Sequence, residues 1–218
     1  MDLEAARRAL IDGGRRLGTR GLIAAAEGNL SVRLDPERVL ITPTGRRKDE
    51  LGPDDLVILR LGHDETAARS RSGLAPTSDL AIHLAIYGAR QDIESVVHAH
   101  LPASMALTLA GEIPDPTALP ETALFLPRVP FVPFGVMGSD ELAARIATAF
   151  GDGPEPLPRA VLLERHGAVA VGPDVATAVD RLDLLEVLCR TWRDALLLRG
   201  VRAVLDRPAI VHGPDDRH

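Results

Sequence analysis

With a single cysteine, Cys189, the 218-residue chain cannot form an internal disulfide. That cysteine lies inside an apolar helical pattern, which predicts a buried, inert thiol. No apolar run reaches the roughly 18–20 residues that a membrane span needs. Basic residues are not in excess either. A formal charge of -6 speaks against a nucleic-acid binder, and the short basic run Arg46–Lys48 reads as a solvated loop. The first residues, Met1–Arg8, are charged and amphipathic, without the apolar centre of a secretion signal. There is no internal repeat, and the 19 glycines and 17 prolines are not gathered into a low-complexity tract. These absences leave a soluble, cytoplasmic protein. Its length and 45% hydrophobic content predict one domain over 1–218 with a full core and an irregular tail from about 202.

Apolar spacing predicts helices over 3–17, 80–89, 102–110, 139–150 and 175–198. Pro76-Thr77-Ser78-Asp79 carries the start signals of the second helix: a proline, hydroxyl caps and an acid. Strands are expected over 30–34, 39–42, 56–61, 95–100, 160–164 and 168–171, with a turn at Asp35-Pro36-Glu37. Six prolines between 111 and 136 argue against a regular element there, apart from an edge strand at 129–132. Strands cluster between helices instead of alternating strictly with them, so a mixed or antiparallel sheet covered by helices fits best.

Ser95-Val96-Val97-His98-Ala99-His100 carries the main chemical signal. On a strand, period-2 alternation puts His98 and His100 on one face, where two imidazoles can grip one metal ion. Open zinc sites take three protein ligands. Of the other histidines, His63 falls in a polar loop, and His212 and His218 in the tail. His166 sits between two apolar strands and before Gly167, which suits a close turn around a ligand. His83 shares a helical stripe with Asp79 and Tyr87 and reads as a core or supporting residue. Asp79 is either a helix cap or a base. Thr77, Ser78 and the free amides of the same helix start form an anion site. Gly28-Asn29 and Thr44-Gly45 are two further loops able to hold a phosphate or carboxylate.

Ala26-Glu27-Gly28-Asn29-Leu30-Ser31-Val32-Arg33, Ile41-Thr42-Pro43-Thr44-Gly45, Pro76-Thr77-Ser78-Asp79, His98-Ala99-His100 and Arg165-His166-Gly167 stand in this order. In these blocks, from the first helix to about residue 200, the chain resembles the class II aldolase/adducin family, which includes L-fuculose-1-phosphate aldolase and L-ribulose-5-phosphate 4-epimerase. The resemblance implies a three-layer α/β/α sandwich around a mainly antiparallel central sheet, and a homotetramer with sites at subunit interfaces. It puts His98, His100 and His166 on the family's Zn2+ ligands and Asp79 on its acid/base carboxylate. Gly28, Asn29, Thr44, Gly45, Thr77 and Ser78 fall on positions that hold the phosphate of a sugar-phosphate substrate. Mn2+ and Co2+ suit the same donors. The implied activity is that of a zinc-dependent aldolase, a lyase of ketose phosphates working through a metal-stabilised enediolate. A 4-epimerase, a decarboxylase or a dehydratase is the alternative, and a non-catalytic adducin-like module the remote one.

The chain also departs from the family pattern. The family's aldolases carry glutamate at Asp79; the epimerases carry aspartate. The aldolases borrow a tyrosine from a neighbouring subunit, but Ala118–Thr122 contains none, and Tyr87 is the only tyrosine. Glu121 and His212 are the candidates for the missing proton donor. Glu27 adds negative charge, and Ala26 removes a hydroxyl, beside the phosphate loop, which admits an unphosphorylated substrate.

Overall fold

The structure is a computed structural model that describes residues 1–151 and 153–205. Its elements run α1 (Leu3–Thr19), β1 (Asn29–Asp35), β2 (Arg38–Ile41), β3 (Val57–Arg60), α2 (Leu80–Ala89), β4 (Ser95–Ala99), α3 (Pro102–Leu109), α4 (Pro120–Phe125), β5 (Phe131–Val132), α5 (Asp140–Gly151), β6 (Ala160–Leu163), β7 (Gly167–Gly172) and α6 (Val175–Leu205). The seven strands form one sheet in the order β3-β2-β1-β4-β7-β6-β5. Every pairing is antiparallel except β5 with β6.

Strand alternation sorts the side chains into two cores. Leu30, Val32, Val97, Ala99, Ala168 and Ala170 face α1, α3 and α6, where Leu10, Leu107, Leu182 and Leu185 meet them and Trp192 packs against the cluster. Val39, Ile41, Val96, Val161, Val169 and Val171 face α2 and α5, with Ile82, Ile86, Tyr87, Ile146 and Phe150. The sheet is thus sandwiched between helices, the three-layer arrangement expected. On β1 and β4 the second face carries polar groups as well: Asn29, Ser31, Arg33 and His98 are all buried there.

Local chemistry sets the element ends. Asp2 caps α1, its carboxylate accepting from Ala5 N at 3.1 Å. Asp35 accepts from Glu37 N at 3.0 Å and tightens the β1–β2 turn. The start of α3 is capped from a distance. Glu186 on α6, 1% exposed, accepts from Ala103 N at 3.0 Å and Ser104 N at 3.3 Å and pairs with Arg190 at 3.0 Å. This fixes the corner that follows His100.

The structure corrects three expectations. The 111–136 segment holds α4 and a 3-10 turn, Pro116–Ala118. Their prolines occupy first-turn positions, where no N–H is needed, so they begin these elements instead of breaking them. The edge strand shrinks to the two residues of β5. The last helix continues through Gly200 to Leu205, because an isolated glycine costs only about 1 kcal/mol in a helix interior. Residues 202–205 of the expected tail are therefore helical, and the rest of that tail lies outside the described residues. No helix among the described residues is long and apolar enough to cross a membrane.

Replacing Glu186 with alanine strands the α3 amides in a buried setting. Urea unfolding of E186A should show a loss of about 2–4 kcal/mol; unchanged stability would mean that the cap is not coupled to folding.

Candidate active site

The site forms where the ends of β1 and β4 meet the start of β7. Asn29 pairs with His98 across the β1–β4 ladder, and His98 pairs with Val169 of β7. Two glycines allow the backbones this close. Gly28, at φ +70, lies where a Cβ would come within 2.9 Å of His98 O. Gly167, at φ +88, sits where a Cβ would come within 2.1 Å of Ala99 O. His166, immediately before Gly167, is thereby held beside the strand-end histidines. His100 lies one residue beyond β4, not on the strand as expected, yet the three rings still converge, with centroids 4.7–4.9 Å apart.

The donor atoms of His98, His100 and His166 lie within 4.8 Å of one another. His98 Nδ1–H donates to Ala168 O at 3.0 Å, since a carbonyl can only accept. This fixes the tautomer and leaves the Nε2 lone pair, which is buried without a hydrogen-bond partner. Burial, followed by the neighbouring His166 and His100 rings, holds His98 well below the usual histidine pKa. His166 is lowered too, first by burial and then by His100, with Asp79 opposing. Its buried Nδ1 also lacks a partner. Neutral imidazoles with orphaned lone pairs fit one divalent ion. Glu27 Oε1 stands 3.4 Å from His100 Nδ1, so it faces this ring as a carboxylate orienting a metal-binding histidine would.

Two loops close the other wall. Thr44 N–H donates to Ala75 O and Thr77 N–H to Thr42 O, both at 3.1 Å, with Pro43 and Pro76 forming a bridge. This brings Thr44-Gly45 alongside Thr77-Ser78. Asp79 occupies the cap position of α2 but makes no side-chain cap bond. Instead its Oδ2 accepts from Asn29 Nδ2 at 2.8 Å and lies 4.0 Å from His98 Nε2. Gly28, Asn29, Thr44, Gly45, Thr77, Ser78, Asp79, His100 and His166 all line one cavity of about 280 Å³, as do Met137 and Gly138. His98 lies behind them, fully buried.

Lys48 overturns the reading of Arg46–Lys48 as a solvated run. Arg46 and Arg47 are exposed, but Lys48 is 2% exposed and lines the cavity. Its Nζ donates to Ala26 O and Arg46 O, both at 2.7 Å, tying the first anion loop to the second and leaving its third proton free to serve a ligand. Burial lowers its pKa to about 8, opposed by Asp79. Its sequence neighbours gave no sign of this, because the partner carbonyl of Ala26 is 22 residues away.

The clefts of about 490 and 470 Å³ contain no histidine, and one of about 330 Å³ is lined by His63 alone among the histidines. Glu121 lines the second of these with Phe125 and Asp180, so within one chain it does not reach the histidine cavity. His212 lies outside the described residues.

Comparison with known proteins points the same way. Residues 8–193 match the family described as Class II Aldolase and Adducin N-terminal domain. A 3-oxo-tetronate 4-phosphate decarboxylase of Cupriavidus necator is 34% identical over 183 residues, 82% of this chain and 79% of that one. A methylthioribulose-1-phosphate dehydratase of Methylococcus capsulatus is 29% identical over 195 residues, covering 82% and 88%. Among solved structures, an L-fuculose-1-phosphate aldolase from Thermus thermophilus superposes with a TM-score of 0.75 at 27% identity, covering 94% and 98% of the two chains.

Protein purified without chelator should hold about one divalent ion per chain. H98A should hold almost none with its circular dichroism unchanged, and E27Q should bind the ion about 10-fold more weakly. Elemental analysis checks this; a fully loaded H98A would remove His98 from the ligand set.

Proposed function

Because the chain belongs to the class II aldolase and adducin family, we propose that its cavity makes or breaks a C–C bond in a small phosphorylated hydroxy-carbonyl compound, as a metal-dependent aldolase. The observation carrying this reading is the meeting of three histidines, one carboxylate and two polar loops at a single cavity. His98, His100 and His166 would hold the ion, zinc by the chemistry of its donors. Bound there, it supplies Lewis-acid polarisation of a carbonyl.

The remaining work falls to the chain's own groups. Asp79 Oδ2 is tied to Asn29, so Oδ1 is the oxygen that exchanges protons. In the cleavage direction it takes the proton of the substrate hydroxyl next to the breaking bond. That carbon becomes the carbonyl of the departing aldehyde, and the bonding pair stays on the hydroxy-carbonyl fragment. The same carboxyl then returns its proton to that fragment. Thr44, Gly45, Thr77 and Ser78 hold the phosphate, with Lys48 opposite its charge, and so orient the reacting bond from a part of the substrate that does not react.

A second reading, decarboxylation, is favoured by Tyr87. The only tyrosine of the chain is 1% exposed and hydrogen-bonded to Ser31 at 2.9 Å, so no phenol of this chain serves as a second proton donor. Losing CO2 from a 3-oxo acid needs one protonation only, which Asp79 relays to the fragment from solvent. The two readings share a fragment. A ketose 1-phosphate cleaved between C3 and C4 and a 3-oxo-tetronate 4-phosphate losing CO2 both leave dihydroxyacetone phosphate. The cavity would recognise that fragment, and the leaving group would differ. A cytoplasmic homotetramer belongs to this reading; exposed Phe134, Val136 and Met137, the last lining the cavity, offer an apolar patch to a second copy.

The test is NMR product analysis of zinc-loaded protein offered ketose 1-phosphates, 3-oxo-tetronate 4-phosphate, pentulose 5-phosphates and unphosphorylated counterparts. Dihydroxyacetone phosphate with an aldehyde is expected, or with CO2 under the second reading. A product of unchanged mass and inverted configuration would make the protein an epimerase instead. D79N should lower turnover about 10²–10⁴-fold with its metal intact. Since Lys48 is charged below about 8 and neutral above, KM for a phosphorylated substrate should rise as pH climbs through 8. K48M should raise KM about 10-fold and abolish that rise; a K48M enzyme with unchanged KM would exclude Lys48 from anion binding.

A further inference from the structure

Behind Asp79 runs a chain of buried polar groups that the reaction itself does not use. Tyr87 Oη lies 2.9 Å from Ser31 Oγ, and Ser31 Oγ lies 2.7 Å from His83 Nδ1. His83 Nε2 lies 2.6 Å from Asn29 Oδ1, and Asn29 Nδ2 lies 2.8 Å from Asp79 Oδ2. Ser31 and His83 are fully buried, and Tyr87, Asn29 and Asp79 are at most 8% exposed. Arg33 holds the far end, its guanidinium 4.7 Å from the Tyr87 ring centre and its Nη2 donating to Tyr87 O at 3.3 Å.

The direction of every bond follows from one end. An ionised carboxylate only accepts, so Asn29 must turn its NH2 toward Asp79 and its oxygen toward His83. That oxygen also only accepts, so His83 Nε2 carries the hydrogen. A neutral ring then has its lone pair on Nδ1, which accepts from the Ser31 hydroxyl, and Ser31 in turn accepts from Tyr87. Burial lowers the His83 pKa to about 4, in keeping with a neutral ring. The imidazole suits this place because it donates at one edge and accepts at another. An amide side chain carries both groups on the same end.

We propose that His83 is a positioning residue for Asp79. Held as the Nε2–H tautomer by Ser31 and Tyr87, it prevents the Asn29 amide from flipping and so keeps an N–H donor on Asp79 Oδ2. The proposal rests on the reading of Asp79 as the proton carrier. Without His83, Asn29 is free to rotate, and its oxygen can face the carboxylate in place of the NH2. Asp79 then loses both its fixed orientation and the donor that assigns proton exchange to Oδ1.

The wild-type protein, labelled with 15N-histidine, gives the first test and needs no substrate. Long-range 1H–15N correlation at pH 7 should show His83 with a protonated Nε2 and a bare Nδ1. The Nδ1–H tautomer, or an imidazolium, overturns the proposal. H83Q keeps a donor toward Asn29, and H83L removes it. Hydrogen exchange of the Asn29 side-chain NH2 should be at least about 10-fold faster in H83L than in wild type and nearly restored in H83Q. Zinc content should be equal in all three. With the substrate that the wild type turns over, H83L should lose kcat about 10²-fold with KM little changed, and H83Q should recover most of it. Wild-type kcat in H83L, or no rescue by H83Q, overturns the positioning role. If H83L does not fold, the wild-type tautomer and H83Q decide. Full turnover by D79N would instead bring down the reading of Asp79 and leave the tautomer measurement standing on its own.

Discussion

The register of β4 between β1 and β7 is the constraint on which the rest depends. In that register Asn29 stands opposite His98, and His98 opposite Val169. Because side chains alternate across a sheet, a slip of one residue would send His98 into the core beneath α6 and bring Ala99 into its place. The buried apolar residues on both faces of β4 oppose such a slip, since every Val and Ala would change sides at once. Gly28 and Gly167 then let the flanking backbones touch β4 at its end. The histidine cluster is thus a by-product of correct sheet pairing and needs little ordering of its own.

The cavity places opposite charges close together. Asp79 and Glu27 are acidic, Lys48 is basic, and burial holds His98 and His166 below the usual histidine pKa. An anionic ligand would therefore meet Lys48 and backbone amides on one wall, and a cation the imidazoles on the other. Each carboxylate has partners of its own: Asp79 accepts from Asn29, and Glu27 accepts from the Ala24 amide at 3.0 Å and faces the His100 ring.

Most of the architecture was legible because periodicity is a local property. The helices of α1, α2 and α5 and the period-2 pattern of β4 follow from residues a few positions apart, and so did the grouping of His98 with His100. What could not be read depends on partners far along the chain. Lys48 looked solvated because one of the two carbonyls it serves, Ala26 O, comes from a loop 22 residues away. Glu186 caps α3 from 83 residues away, a role that no neighbouring residue in the sequence signals. His83 was placed as a supporting residue by its helical stripe, but its link to Asn29 spans 54 residues and needs the β1–α2 packing to exist. The prolines of the 111–136 segment misled for a different reason: the same residue that breaks a helix interior is suited to its first turn.

The two cores on opposite faces of the sheet each contain one large fluorophore or chromophore. Trp192, the only tryptophan, packs against the core beneath α6, and Tyr87, the only tyrosine, is buried in the layer of α2. Each layer therefore carries its own optical label. Selective excitation of the indole follows the α6 side alone, while second-derivative absorbance, which separates the phenol band from the indole band, follows the side that supports Asp79. Loosening of one layer before the other can be seen in the unmodified protein, without any introduced probe.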